Sequence, residues 1–204
     1  CCGERSEFRQ HPLDYLESMR EVVCSLSGRT RPEAVRGIGL DTTGSTPCAV
    51  DAAGRPLALH EKFADNPDAM FVLWKDHSAE AEAAEINRAL AESPVNYACY
   101  EGGFYSSEWF WSKLLHILRR DPAVGKAAGS FVEHCDWMAA ELTGCRDAGA
   151  IRRNRCTAGH KAMWHPDWGG LPPDAFLGGI DPLLAGWRDR LYAEIQRHLL
   201  PDEE

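Results

Sequence analysis

Long apolar runs are scarce in this chain of 204 residues. No stretch approaches the roughly 20 apolar residues that a bilayer-spanning helix needs, and no apolar segment opens the chain as a signal peptide would. Runs of lysine and arginine are missing too, and the formal net charge is −9. Nucleic acids and anionic membranes both require a basic surface on the protein that binds them. These absences predict a cytoplasmic protein that binds neither a nucleic acid nor a membrane.

Cysteine pairs with C-x-x-C spacing are also absent, although the chain has eight cysteines. Most of them stand as single small residues inside predicted helices and strands, so we expect reduced and mostly buried thiols. The composition is 44% hydrophobic and 26% charged, which is ordinary for a globular chain of this length. We therefore expect one domain without a disulfide framework.

The apolar periodicity predicts an α/β chain, with a small sheet followed by helices. Apolar residues recur at helical spacing behind Pro12, and Gly28 ends that helix. The turn residues 52–54 separate two short runs, which predicts a hairpin. The predicted elements are a helix over 12–27, strands over 35–41, 47–51, 56–60 and 70–74, a helix capped by Ser78, and helices over 106–119, 131–142 and 181–200.

The stretch 71–77, FVLWKDH, carries the strongest hint of a function. Its apolar, β-type half ends on Trp74, Lys75 and Asp76, and open α/β sheets place ligands at the carboxyl ends of their strands. A carboxylate accepts hydrogen bonds from hydroxyls, an ammonium donates them, and an indole supplies an apolar wall. The stretch therefore favours the rim of a sugar site. An ordinary exposed strand end before a helix is the alternative.

Three further features invite a chemical interpretation. The turn 41–47, DTTGSTP, offers hydroxyls and backbone N–H groups, although a plain β-turn is the commoner reason for such a sequence and its spacing is not that of a phosphate-binding P-loop. Lys161 could donate to hydroxyls, or it could be an ordinary surface lysine. Cys156, His160 and His165 lack the spacing of a structural zinc site, so a small zinc protein is only a third hypothesis.

Four segments, in order along the chain, resemble the FGGY carbohydrate kinases, in the subgroup that phosphorylates L-ribulose. The resemblance covers about residues 8–190, which is nearly the whole chain. The segments are 37–47 (GIGLDTTGSTP), 66–77 (NPDAMFVLWKDH), 102–111 (GGFYSSEWFW), and 155–161 (RCTAGHK) with 168–173 (WGGLPP).

The resemblance implies the fold and function of the sugar-binding part of such a kinase. Members have two domains of the actin-like, ribonuclease H-like ATPase fold and phosphorylate a ketopentose with ATP and Mg, here L-ribulose in arabinose catabolism. Residues 1–204 would form a single, incomplete N-terminal domain of this kind, without the ATP-binding domain. The substrate-binding residues that it implies are Gly44, Ser45, Thr46, Trp74, Lys75, Asp76 and Lys161.

The chain also departs from the family pattern. Nothing before Glu4 resembles the family's phosphate loop, and its general base and ATP-binding domain would lie beyond the C-terminus. We therefore expect the chain alone to be inactive, to lack a catalytic residue and to bind neither ATP nor Mg. We also expect exposed apolar side chains that favour self-association, and the choice between monomer and homo-oligomer stays open. A free-standing, non-catalytic sugar-binding or interaction module is the alternative.

Overall fold

A computed structural model describes residues 6–192 of the chain. Within that range the chain forms eight α-helices, four short strands and several single-turn 3-10 helices. The strands are β1 (Arg9–Gln10), β2 (Pro47–Val50), β3 (Phe71–Val72) and β4 (Ser130–Glu133). The helices are α1 (Pro12–Ser27), α2 (Glu80–Glu92), α3 (Phe110–Arg120), α4 (Pro122–Ala127), α5 (His134–Thr143), α6 (Arg155–Lys161), α7 (Asp174–Ile180) and α8 (Trp187–Tyr192).

The four strands form two separate antiparallel pairs rather than the one small sheet that was predicted. β1 pairs with β3, with Arg9 opposite Val72. β2 pairs with β4, with Pro47 opposite Glu133. The second pairing joins strands about 80 residues apart in sequence, a distance at which apolar periodicity says nothing about partners. The α/β character is confirmed, and only the strand partners differ from the prediction.

Two clusters of buried apolar side chains hold these elements together. In the larger cluster, α3 contributes Phe110, Leu114 and Ile117, which recur at helical spacing and pack against Ile86 of α2. The smaller cluster lies between β2, β4 and α5 and contains Val132 and Trp137. Burial of a large apolar side chain contributes roughly 1.5–3 kcal/mol, so these clusters supply most of the stabilising free energy.

The predicted strand over 35–41 is wrong. Those residues are exposed, Ile38 to 68%, and they join none of the strands described here. Gly37 and Gly39 have no side chains that could pack, and their backbone loses more conformational entropy on folding, so both residues weaken a strand. The predicted hairpin is correct at its turn, where Val50 bridges Pro56 and the Asp51 N–H donates to Arg55 O at 2.9 Å. Its second strand is wrong, because the chain forms a 3-10 turn over Leu57–Leu59.

The predicted helices are mostly correct, with shifted ends. α1 matches its predicted range, and Gly28 follows it. The capping role of Ser78 is wrong, because its side chain bonds Asp76 and α2 begins only at Glu80. α3 begins at Phe110 instead of at 106, and the segment 131–142 starts as β4 before it becomes α5. Of the predicted helix over 181–200, the structure shows a 3-10 turn (Pro182–Leu184) and α8, while 193–200 lie outside the described residues.

The thiols are less buried than the sequence predicted. Six cysteines between residues 6 and 192 are free thiols, and three of these, Cys24, Cys99 and Cys156, are exposed. Cys24 illustrates the cause, because it lies on the part of α1 that no described element covers. The helices of this same range include none that is long and apolar enough to cross a bilayer.

Candidate sugar site

The turn Gly44–Thr46 and the end of β3 lie side by side. Lys113 of α3 joins them, because its Nζ donates to Ser45 O at 2.7 Å and to Leu73 O at 2.9 Å. Leu73 immediately precedes Trp74, so one ammonium contacts both segments that were predicted to face a sugar. Lys113 is only 1% exposed, and its apolar stem packs within the core.

Glu133, the last residue of β4, holds the same turn from the other side. Its carboxylate accepts hydrogen bonds from Ser45 Oγ and, at 2.7 Å, from the Thr46 backbone N–H. Burial raises the pKa of the Glu133 carboxyl above its ordinary value and lowers the pKa of the Lys113 ammonium, and the attraction between the two charges partly offsets both shifts. The turn is therefore fixed between two buried groups of opposite charge. Ser45 and Thr46 are themselves buried, which leaves Gly44 as the exposed residue of the turn.

Asp76, which was predicted to bind the sugar, is enclosed by protein in this structure. Asp76 has no exposed surface, and its carboxylate is fully occupied by protein donors. One oxygen accepts from the Phe8 N–H at 2.6 Å and pairs with Arg9, and the other accepts from the Ser78 N–H at 3.1 Å and from its hydroxyl. Asp76 thus fixes the shape of the strand end, since no lone pair is left facing solvent for a sugar hydroxyl.

The neighbours of Asp76 are the side chains of this strand end that solvent can reach. Trp74 is 46% exposed, and Lys75 is exposed with its Nζ 4.8 Å from the centre of the Phe8 ring. An ammonium at this distance from an aromatic face is held by a cation–π attraction and keeps its N–H groups free for a ligand. The strand end thus combines an indole surface with a positioned cation.

Helix α6 approaches the same turn and carries Lys161 at its last position. A β-carbon built on Gly44 would lie 4.0 Å from Thr157 Cγ2, so α6 packs beside the exposed part of the turn. Lys161 Nζ lies 4.9 Å from the centre of the Trp109 ring, and the Lys161 carbonyl accepts from the Tyr105 hydroxyl at 2.5 Å. The partly exposed lysine is therefore anchored at both its backbone and its head group.

A contact at the start of α3 links Lys161 to the strand end. Glu108, next to Trp109, pairs with His77, which follows Asp76, at an Oε1–Nε2 distance of 3.3 Å. Glu101 also lies near Lys161, and burial raises its pKa to about 8. Two lysines, Lys75 just after β3 and Lys161 on α6, thus each hold the ammonium over an aromatic ring.

The zinc hypothesis finds no support in this arrangement. His165 pairs with Asp167 at 3.3 Å, and its ring stacks on Tyr100, while Cys156 is exposed on α6. Among residues 6–192, no three His, Cys, Asp or Glu side chains are grouped as a metal ion requires.

Sequence reasoning missed Lys113 and Glu133, although both leave a signal. Lys113 falls three residues after Phe110 and four before Ile117, on the apolar face of its helix. Glu133 ends the apolar run of β4. A charged residue at a periodic core position is rarely buried without a partner, so each position indicates an internal ion contact.

The chain is similar in sequence to several known proteins. It is 49% identical over 201 residues to the ribulokinase of Vibrio parahaemolyticus, an alignment that covers 96% of the chain and 35% of that protein. The chain is related to ribulokinases. Ribulokinases of Shouchella clausii and Mycolicibacterium smegmatis are 41% and 35% identical over 86% and 92% of the chain, and 31% and 33% of their own length. The chain thus spans about a third of the length of these ribulokinases, and no protein-family model matches it.

The fold is also that of part of a sugar kinase. The structure matches a xyloylose kinase from Brucella ovis with a TM-score of 0.52 over 82% of the chain and 34% of that protein, at 18% sequence identity. The likeness agrees with the partial actin-like fold that the sequence motifs implied, and the resemblance to carbohydrate kinases is confirmed.

Proposed function

We propose that this chain is the sugar-binding part of an ATP-dependent ribulokinase that phosphorylates L-ribulose in pentose catabolism. The observation that carries the proposal is the contact between the Gly44–Thr46 turn and the end of β3, because it unites two of the segments that resemble the kinase family. The similarity to three named ribulokinases supports the same assignment.

The chemistry of the exposed groups suits a polyol. Lys75 and Lys161 offer ammonium donors to hydroxyl or carbonyl oxygens, and Trp74 offers an apolar face to the carbon side of the sugar. Gly44 adds a stretch of backbone that a ligand can approach closely, since no β-carbon stands in the way. Ser45, Thr46 and Asp76 contribute by shaping the site from beneath, with their polar groups bonded to protein.

ATP and Mg belong to the whole kinase in this proposal. Bound there, ATP would supply the phosphoryl group, and Mg would offset the negative charge that develops during transfer. Residues 6–192 contain no grouped metal ligands, so the residues present do not fit the metal and no step is assigned to it. In this chain, Lys75 and Lys161 orient the sugar, and the exposed face of Trp74 excludes water from one side of the sugar.

Titration of the purified chain with L-ribulose tests the proposal. We expect chemical-shift changes at Gly44, Trp74 and Lys161 in NMR spectra, with a dissociation constant in the millimolar range because an open site loses part of its contacts. Lys161→Met should abolish these changes, whereas Lys126→Met, which removes an exposed lysine of α4, should not.

Two further readouts separate the alternatives. A coupled assay with MgATP should show no turnover by the chain alone, and clear turnover would contradict its role as a partial enzyme. A folded chain that gives no shift with L-ribulose, D-xylulose or L-arabinose would instead favour a non-catalytic interaction module.

A further inference from the structure

The polar core beneath the candidate sugar site is built from a buried base and a buried acid. Lys113 is 1% exposed and Glu133 is 2% exposed, so both groups are removed from water. Desolvation of an ionised group costs several kcal/mol unless other charges and hydrogen bonds offset it. Here the hydrogen bonds of both groups offset part of this cost, and these bonds hold the Gly44–Thr46 turn.

The contacts of the two groups converge on one short segment. Lys113 bonds the carbonyl of Ser45, while Glu133 bonds the hydroxyl of the same residue and the next backbone N–H, that of Thr46. Three polar groups of two neighbouring residues are therefore fixed by two side chains from α3 and β4. These side-chain bonds act together with one backbone bond beside the β2–β4 ladder, in which the Thr46 carbonyl accepts from the His134 N–H at 3.0 Å.

Lys113 extends the same control to the strand end. Its second acceptor, Leu73 O, also accepts the Asp76 backbone N–H at 2.9 Å, so the ammonium lies on the carbonyl that shapes the turn over 73–76. Trp74 and Lys75 are the two residues inside that turn, and they are the exposed side chains of this edge. Lys113 is therefore a side chain that bonds both the Gly44 edge and the Trp74 edge of the site.

We propose that Lys113 is a positioning residue of the candidate sugar site, whose buried ammonium, opposed by the Glu133 carboxylate, holds the Gly44–Thr46 turn against the Leu73–Asp76 turn in the geometry that receives the sugar. We call the bonds of Lys113 to both turns the clamp. Its role in sugar binding rests on the proposed function, but the clamp itself is a property of the ligand-free chain. It makes Lys113 different from Lys75 and Lys161, which face the ligand.

Amide hydrogen exchange on the ligand-free chain tests the clamp. In Lys113→Met, which keeps the stem and removes the donors, the Thr46 and Asp76 amides should exchange at least tenfold faster relative to the amides of the β2–β4 ladder and of α3. A residue that only stabilised the fold would accelerate exchange at all of these amides together. Uniform acceleration, or no acceleration at Thr46 and Asp76, overturns the proposal.

A second variant guards against failure to fold. Lys113→Arg keeps the charge but replaces a compact ammonium with a planar fork, so the chain should fold while both turns exchange several-fold faster. Lys126→Met is the matched control, and its exchange should equal that of the unaltered chain.

Sugar titration then connects the clamp to the site. The affinity for L-ribulose should fall more than tenfold in Lys113→Met or Lys113→Arg and stay unchanged in Lys126→Met. Unchanged affinity in a variant whose turns have loosened overturns the positioning role. If the unaltered chain binds no L-ribulose, the proposed substrate fails, while the exchange experiment still decides whether the clamp exists.

Discussion

The Gly44–Thr46 turn and the groove beside α1 are close in sequence but differ in how their side chains are satisfied. The turn is fixed by buried charges and hydrogen bonds from α3 and β4. The groove, of about 650 Å³, lies just upstream and is lined mainly by apolar side chains of α1, segment 35–42 and α5. Its walls include Val22 and Ile38, which are 58% and 68% exposed.

The turn finds its bonding partners within the described chain, whereas the groove leaves apolar side chains exposed. The Ser45 carbonyl, the Ser45 hydroxyl and the Thr46 N–H each have a partner from α3 or β4, so contacts within residues 6–192 hold the turn. The apolar face of α1 packs on α5 at its first turns, and beyond them it lines the groove opposite segment 35–42, with Val22 58% and Val23 52% exposed. Exposed apolar patches of this extent are uncommon on isolated monomers, and they favour association. The expected exposure of apolar side chains is confirmed here.

The largest effect at neutral pH should come from removing the buried ammonium. Lys113→Met takes away the donor to the Ser45 carbonyl and the favourable charge near Glu133, and a buried polar group left without its partner typically costs about 1–3 kcal/mol of unfolding free energy. Urea denaturation followed by circular dichroism should show this loss. The double variant with Glu133→Gln should recover a large part of it, because the unpaired carboxylate is gone. A double variant as unstable as the single one would contradict the buried-charge explanation.

A smaller effect should come from His134, which lines the groove and yet packs against the core. Its ring lies 4.0 Å from the Tyr15 ring centre, and burial lowers its pKa from 6.5 to about 4. Between those pH values the unfolded chain binds more protons than the folded chain, so this stabilising contribution is complete above pH 6.5 and is lost as the pH falls towards 4.

The variant His134→Phe isolates that contribution. Relative to it, the unaltered chain should lose on the order of 2–3 kcal/mol of unfolding free energy between neutral pH and pH 4. Denaturation curves at several pH values measure the difference. His160→Phe, which changes an exposed histidine of α6, is the control and should leave the pH dependence as it was. Parallel curves for His134→Phe and the unaltered chain would show that the histidine is not buried in solution.

The smallest effect on stability, but a clear one on assembly, should come from the groove. Val22→Glu with Ile38→Glu removes apolar area that is already exposed, so the unfolding free energy should change by no more than about 0.5 kcal/mol. Sedimentation velocity should show less self-association than in the unaltered chain. Leu183→Glu changes an exposed leucine outside the groove and should have little influence. A monodisperse monomer before any substitution would refute the prediction of association.

Several elements could be predicted from the sequence because their causes are local. The helix behind Pro12 has its proline, its apolar period and its terminating Gly28 within one segment, and the structure reproduces its range. The buried faces of α2 and α3 follow from the same period. The strand over 35–41 could not be judged in this way, because a strand exists only if another strand pairs with it.

The candidate site also combines features with local causes and features that depend on distant parts of the chain. The amino-acid sequence by itself determined which segments carry the family likeness, and with them Trp74, Lys75, Lys161 and the Gly44 turn. Only the tertiary structure decided that Asp76 is enclosed and that Lys113 and Glu133 fix the site from beneath. The reason is physical: helical periodicity is set by neighbours along the chain, whereas the partner of a buried charge is set by packing between elements tens of residues apart.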